Sequence, residues 1–391
     1  MNMDTNTKDL KEIRDNIDQL DVKILELLNE RAACALKLAE RKREAGLPIY
    51  DPAREREILD RFGEKSTGKL PPVFARRIFS EIISACRTLQ EPISIVFLGP
   101  EDTFSHMAAL KHFGQSAGYL PRASIGDVFR EVEHGRADFG VVPAENSING
   151  VVGLTLDEWI GSDLKICGEI LLPVSHVLMS VSRDIRKITK VFSHPQALGQ
   201  CREWLAGNLP RAELVETSST AEAARLALED AAAAAVGAEL LAERRGLYVL
   251  ARNIQDRAVN LTRFFVLGRL HCIPTGRDRT SLLFTLRHQP GSLHQALAPL
   301  AEAGVNLTRI ESRPTRERAW EYVFFIDIEG HQSENYVRAA LTDFQSRVDR
   351  CKILGSYPAA RADQEPLVDQ DTDLARLAEW GRLTPGQSDQ G

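Results

Sequence analysis

Residues 24–42 read ILELLNERAACALKLAERK, and they extend an apolar series spaced by fours and threes: Ile13, Ile17, Leu20, Ile24, Leu27. That spacing is the stripe of an amphipathic helix. The next seam position is Arg31, followed by Cys34 and Leu38, and Lys42 lies one turn further on. A cation in a buried seam is costly unless an anion or acceptor meets it. Arg31 therefore pairs with a nearby Glu, snorkels to solvent, or faces a polar pocket. The helix is expected over residues 9–44, ending before AGLP. YDPARERE starts a second helix, with Asp51 as N-cap and Pro52 at the first helical position. A third runs from about Val73 to Gln90, its stripe Phe79, Ile83, Cys86 leading to Gln90. Asp51, Arg54 and Glu55 are spaced to share a face of the second. A small helical core with Arg, Lys and Gln turned inward has the character of a small-anion pocket. Arg14 lies 17 residues before Arg31, roughly 25 Å along one helix. One small ligand touching both would need Arg14 from a second, antiparallel subunit.

At 391 residues the chain is long for one domain, and two or three are expected. A net charge of -6 with no long basic run argues against a nucleic-acid partner. The start, MNMDTNTKDLKEIRD, has no apolar core of a secretory signal, and no run approaches 18 apolar residues. No membrane partner and a cytoplasmic location are expected. Cys34, Cys86, Cys167, Cys201, Cys272 and Cys351 are scattered, with no C-x-x-C and no metal-ligand spacing. Reduced thiols, no metal and no cofactor follow as expectations.

QEPISIVFLGP marks a change of pattern. Ile93–Leu98 is a short apolar run bounded by Pro92 and Gly99-Pro100, hence a buried strand. From there to about 270 strands (DFGVVP, ITKVFS, AAAVG, TRFFVLG) alternate with helices (SHMAALKHFG, STAEAARLALED). This predicts α/β with largely parallel sheets, in two small lobes with a cleft. Polar clusters fall at element edges: Glu145, Asn146 and Ser147 after a strand ending at Pro143; Ser193, His194 and Gln200 where a strand gives way to a helix; Thr262 and Arg263 where another strand begins. Singly, each has a structural reading: Asn146 and Ser147 as helix caps, His194 as a turn residue before Pro195, Arg263 as an ion-pair partner. Residues 279–357 follow βαββαβ, the ferredoxin-like order. The polar tail from residue 358 to 391 is expected to be mostly disordered, with DLARLAEW a candidate for a helical turn or two. The domains expected are 1–91, 92–270 and 279–357.

IRDNIDQLDVKILELLNERAACALKLAERK, PIYDPAREREIL and IFSEIISACRTLQ resemble the all-helical chorismate mutases fused to prephenate dehydratase. The resemblance implies an intertwined homodimer with a chorismate site at Arg14 (crossing between subunits), Arg31, Lys42, Asp51, Arg54, Glu55, Cys86 and Gln90. Arg14 and Arg31 would hold the two carboxylates, Lys42 and Gln90 the ether oxygen, and Glu55, with Asp51 nearby, the ring hydroxyl. The pericyclic rearrangement to prephenate needs orientation and electrostatics alone.

GPEDTFS, VVPAENSINGVVG, SHPQALGQC and TRF resemble the prephenate dehydratase family. The resemblance implies a fold like a small periplasmic binding protein, with prephenate in the cleft. Thr262 would be the general acid, Asn146, Ser147, Ser193 and Gln200 would position substrate, and Arg263 would meet a carboxylate. Asp102 stands where relatives usually have Gly. It tolerates left-handed backbone better than most residues, but its charge is unfavourable near a dianion. PGSLHQAL and ESRP resemble the amino-acid-binding ACT regulatory domain, with Ser292 for the usual Ala. This implies L-phenylalanine held at a subunit interface by Gly291, Ser292, Leu293, Glu311, Ser312, Arg313 and Pro314. The expected protein is a bifunctional, phenylalanine-inhibited enzyme, dimeric or of higher order. Two alternatives are a phenylalanine-sensing binding protein without catalysis, and a mutase whose dehydratase is impaired by Asp102. Intact Arg31, Lys42 and Gln90 oppose the first, since a mere coiled arm favours Leu there.

Overall fold

The computed structural model describes residues 2–65, 69–257, 259–287, 289–314 and 322–360. The expected tail and DLARLAEW lie almost wholly outside the described residues. The N-terminal segment is three helices, α1 (Asn2–Glu44), α2 (Pro52–Lys65) and α3 (Pro72–Gln90). Asp51 caps α2 by accepting the Arg54 N–H at 3.0 Å. Helix α3 packs against both α1 and α2. The seam of α1 is nonetheless bare: Ile13, Ile17, Leu20, Ile24 and Leu27 are all more than half exposed. Burying each would contribute about 1.5–3 kcal/mol, so a single chain leaves much of this helix's stability unused.

The first lobe of the middle segment is built from β1 (Ser94–Leu98), α4 (Phe104–Phe113), β2 (Gly118–Arg122), α5 (Ile125–Glu133), β3 (Phe139–Asn146), β4 (Gly150–Val151), α6 (Gly153–Gly161) and β5 (Lys165–Pro173). The second lobe holds β6 (Val177–Ser180), β7 (Lys190–Ser193), α7 (Pro195–Gln200), α8 (Arg202–Asn208), β8 (Glu213–Glu216), α9 (Thr220–Glu229), β9 (Ala233–Gly237), α10 (Glu239–Arg245) and β10 (Tyr248–Ala251). The chain then returns to the first lobe as β11 (Leu261–Gly268). The sheet orders are β2-β1-β3-β11-β5, with β4 on β3, and β10-β6-β9-β7-β8.

These sheets are mixed, which corrects the largely parallel expectation. β1 runs parallel to β2 and β3, but β11 is antiparallel to both β3 and β5. In the second lobe β7 is parallel to β8 and β9, while β6 is antiparallel to β9 and β10. The cause is the double crossing: a strand that comes back from the other lobe enters its sheet in the opposite sense. Residues 174–176 lie on one crossing, and 252–257 with 259–260 lie on the other. β3 also runs beyond Pro143 to Asn146, with a register shift opposite Arg263 and Phe264.

The C-terminal segment is β12 (Asp278–Thr285), α11 (Ser292–Glu302), β13 (Leu307–Pro314), β14 (Tyr322–Glu329), α12 (Asn335–Ser346) and β15 (Arg350–Pro358), in sheet order β13-β14-β12-β15. It does not stand apart. Leu283, Val323, Phe325, Leu354 and Tyr357 share one hydrophobic core with Val96, Trp159 and Phe265 of the first lobe. Gly355 permits this: a Cβ there would collide with the Ile166 carbonyl of β5.

Candidate active sites

In the helical segment Lys42 and Gln90 stand at the C-terminal ends of facing helices. Arg43 Nη2 donates to the Gln90 carbonyl at 2.5 Å, and Lys42 Nζ donates to the Ile49 carbonyl at 2.9 Å. Cys86 is buried and Arg31 part-buried, while Arg14 is exposed far along α1. Arg54 is turned outward and pairs with Glu57 at 2.5 Å, so it does not share a site face with Glu55. Glu55 has a partner absent from the sequence reading. Arg87 Nη1 meets its two oxygens at 2.8 and 2.7 Å. Burial raises the Glu55 pKa, with Arg87 opposing. Arg87 itself is buried, donates to the Phe113 carbonyl and lies over the Tyr50 ring.

The cleft of the middle segment carries a hydrogen-bond chain whose direction is fixed by the backbone. Asn146 Oδ1 accepts the N–H groups of Ile148 and Asn149 at 3.1 and 3.0 Å. Its Nδ2 must then be the donor, and it reaches Thr262 Oγ1 at 2.9 Å and Asn260 Oδ1 at 2.8 Å. Asn260 Nδ2 donates in turn to Gln200 Oε1 at 3.1 Å, and His176 Nε2 lies 2.8 Å from the same oxygen. An amide oxygen only accepts, so His176 carries its proton on Nε2. Burial lowers the pKa of His176, keeping it neutral. Two consequences follow. Thr262 accepts from Asn146, which leaves its own O–H to donate. Gln200 has its oxygen occupied twice, which leaves its NH₂ to face a ligand.

His176 and Asn260 lie on the two crossings between the lobes, and neither was singled out from sequence. A signal existed for Asn260. It precedes Thr262 by two residues, the spacing of one strand face. A cavity of about 550 Å³ opens beside Gln200, lined also by Ile148, Asn149, Gln196, Asp256 and Arg257.

Other expected residues have different surroundings. Ser147 Oγ accepts the Leu261 N–H at 2.9 Å and caps no helix. Ser193 is fully buried, with its hydroxyl donated to the Val236 carbonyl at 2.7 Å. His194 is the N-cap of α7, accepting the Gln196 N–H on Nδ1. Arg263 departs furthest from expectation. Next to Thr262 on a strand, it points to the opposite face. There it is buried, with Nε on Glu169 at 2.6 Å, Nη1 on Asp327 at 2.5 Å and Nη2 on Tyr357 Oη at 3.0 Å. All three nitrogens are engaged away from the cleft, so the role of substrate carboxylate partner is corrected. Arg257 is among the residues lining the cavity beside Gln200.

Asp102 does adopt a left-handed backbone, φ 64°. Its charge is met from the other lobe by Arg244 Nη1 at 2.7 Å and Arg245 Nη2 at 3.6 Å. His106 Nδ1 accepts the Asp102 N–H at 3.1 Å. Burial, then Arg244, lowers the pKa of His106.

In the C-terminal segment Gly291 is left-handed, φ 82°, and caps α11. The register Arg313↔Val323↔Thr285 puts ESRP at the sheet end from which the chain leads to Gly291, Ser292 and Leu293. On β13 exposure alternates, so Glu311 and Arg313 face inward while Ser312 and Pro314 face out. Arg313 is already paired, to Asp157 of α6 at 3.2 and 3.0 Å. Among the described residues no helix is long and apolar enough to cross a membrane.

A three-helix segment, a two-lobed cleft and a docked βαββαβ unit define a multidomain enzyme with a regulatory-type module. The pattern of chorismate mutase type II matches residues 13–91, that of prephenate dehydratase residues 95–271, and that of the ACT domain residues 280–343. The bifunctional chorismate mutase/prephenate dehydratase of Aquifex aeolicus (strain VF5) is 49% identical over 357 residues, covering 90% of this chain and 99% of that protein. That of Stutzerimonas stutzeri is 43% identical over 358 residues, covering 90% of this chain and 98% of that protein. The solved prephenate dehydratase of Arthrobacter aurescens, in complex with L-Phe, superposes with a TM-score of 0.64 at 36% identity, covering 74% of this chain and 99% of that one. The chain belongs to the family of bifunctional chorismate mutase/prephenate dehydratases.

Proposed function

We propose that the helical segment rearranges chorismate to prephenate, that the two-lobed cleft converts prephenate to phenylpyruvate, and that L-phenylalanine binds the C-terminal segment and inhibits. The chain is thus an isomerase and a lyase of phenylalanine biosynthesis, working in the cytoplasm. The observation that carries the dehydratase reading is the directed chain ending on Thr262.

In the first reaction a C–O bond breaks as a C–C bond forms. Lys42 and Gln90 donate to the ether oxygen as its charge grows, and Arg31 with the partner subunit's Arg14 holds the carboxylates. Asp51 and Glu55 receive the ring hydroxyl, Glu55 with Arg87 pinned behind it. Cys86 completes the wall, while Arg54 stays turned outward on Glu57. The bare apolar seam of α1 supports an intertwined homodimer, which brings Arg14 across.

In the second reaction the electron pair of the breaking C–CO₂ bond aromatises the ring and expels the ring hydroxide, which takes a proton and leaves as water. Thr262 donates a hydrogen bond to that oxygen. Asn146, donating to Oγ1, stabilises negative charge that develops there. A threonine hydroxyl is a weak acid, so preorganisation carries more of the effect than full proton transfer. Gln200 offers its NH₂ to the substrate and Arg257 a guanidinium to a carboxylate. Ser147 and Ser193 act by fixing the strands that carry Asn146 and α7. The charge of Asp102 is neutralised by Arg244 and Arg245, which favours a working dehydratase over an impaired one.

The test is to give the purified protein chorismate at neutral pH, with and without phenylalanine, and follow all three acids. Phenylpyruvate suppressed by phenylalanine is expected. Prephenate accumulating without phenylpyruvate would sink the dehydratase reading.

A further inference from the structure

The face of β11 opposite Thr262 carries a buried ion cluster that catalysis does not use. It contains three guanidinium groups and three carboxylates. Arg263 holds Glu169 at 2.6 Å and Asp327 at 2.5 Å. Arg279 holds Glu169 at 2.6 Å. Arg309 lies 3.8 Å from Asp327 and 3.4 Å from Glu145. Tyr357 Oη accepts from Arg263 and lies 2.6 Å from Ser281 Oγ. Asp327, Arg279, Arg309, Ser281 and Tyr357 belong to the C-terminal segment; Arg263, Glu169 and Glu145 belong to the cleft lobe.

The strand register ties this cluster to the chemistry. Thr262 is opposite Asn146, and Arg263 is opposite Glu145. Each strand therefore presents one residue to the cleft and its neighbour to the cluster. The cluster also reaches the ESRP strand. Arg309, Glu311 and Arg313 share the inward face of β13, and Arg313 grips Asp157 on α6. Gly153, at the start of α6, leaves room for that guanidinium, which a Cβ would strike. Buried, matched charges resist gradual displacement, because separating any pair strands a charge.

We propose that Arg263 is the positioning residue through which the C-terminal segment acts on Thr262, and that phenylalanine alters dehydration by shifting this ion cluster. The proposal rests on reading the C-terminal segment as the phenylalanine sensor and Thr262 as the donor. Asp327→Asn removes one of the two carboxylate charges that hold Arg263, and Tyr357→Phe removes the hydroxyl that bonds Arg263 and Ser281 while keeping the packing. The second variant serves if the first folds poorly, and the mutase reaction of the same chain reports integrity.

Both variants should lower dehydratase kcat with KM for prephenate nearly unchanged. They should also move the phenylalanine midpoint by about 5- to 150-fold, the span of ordinary coupling energies. Mutase activity should not move. Asp327→Glu should restore part of the inhibition. A wild type indifferent to phenylalanine would overturn the sensor reading and this proposal together. An inhibited wild type with both variants matching it in kcat and midpoint would overturn the proposal alone.

Discussion

The Thr262 hydroxyl is an ordinary group made useful by its neighbours. Asn146 donates to its oxygen, which leaves its hydrogen to donate; in the dehydratase reading it donates to the substrate. Thr262→Val keeps the shape and removes the donor. Dehydratase kcat should then fall by about 10²–10⁴, with mutase turnover unchanged, and Thr262→Ser should recover much of the loss. Equal dehydratase rates for Val and Thr would exclude the hydroxyl from the reaction. His176 works one step back. Its Nε2–H and Asn260 Nδ2 together fix which end of the Gln200 amide faces the cleft. His176→Leu frees that amide to flip, so KM for prephenate should rise about tenfold, the effect of one neutral hydrogen bond, with a smaller change in kcat. His176→Gln retains an N–H donor and should restore KM. A loss in both variants that tracks thermal stability alone would point to packing instead.

Strand and helix faces decide which residues sequence reading could recover. The βαββαβ order, the two-lobed middle segment and the helical start were all legible, because hydrophobic periodicity and turn residues are local signals. The sense of each strand pair was not, since it depends on where a strand returns after visiting the other lobe. Thr262 and Arg263 were read as a pair because they are adjacent, yet adjacency on a strand means opposite faces. Asn260 and Asp327 were missed for the converse reason. Their partners are remote in sequence; nothing local marks Asp327, and the two-residue spacing to Thr262 is the one local mark of Asn260. Asp102 was legible in its backbone but not in its partners, which come from α10. The α1 stripe was legible as buried, and the structure of one chain leaves it bare. In the dimer reading, Leu20→Glu with Leu27→Glu puts charge into that seam, at a cost of about 1.5–3 kcal/mol per lost apolar contact before desolvation. Mutase activity should vanish on dilution while dehydratase activity per chain persists. Mutase activity retained at every concentration would mean that one chain suffices.

At the scale of the whole chain the two catalytic segments are joined by a small mixed contact. Tyr50 packs on Phe113 and Phe139 at 5.7 and 4.9 Å, and its hydroxyl meets His112 Nε2 at 3.0 Å. Ser84 and Arg87 of α3 both donate to the Phe113 carbonyl. The titratable groups around His112 are Arg87, Arg56 and Lys111, all cations, with the neutral Tyr50 beside it. Burial first, then these charges, lower the His112 pKa to about 3. An unfolded histidine titrates near 6.5. Between those values the unfolded chain binds the extra proton, so this contact's stability is complete above about pH 6.5 and is lost as pH falls toward 3. The loss is at most about 1.4 kcal/mol per pH unit. His112→Gln keeps a partner for the Tyr50 hydroxyl and removes the titration. Urea midpoints at pH 7, 6 and 5 should fall more steeply for the wild type than for His112→Gln. Glu55, whose pKa is raised chiefly by burial, lies on the same Arg87. Acid that weakens the His112 contact therefore also approaches the titration of Glu55, the carboxylate proposed for the mutase site. Parallel curves for the two proteins would mean that His112 is already charged at neutral pH, or that its segment opens before the rest unfolds. In either case the joint between the two enzymes would be looser than its packing implies.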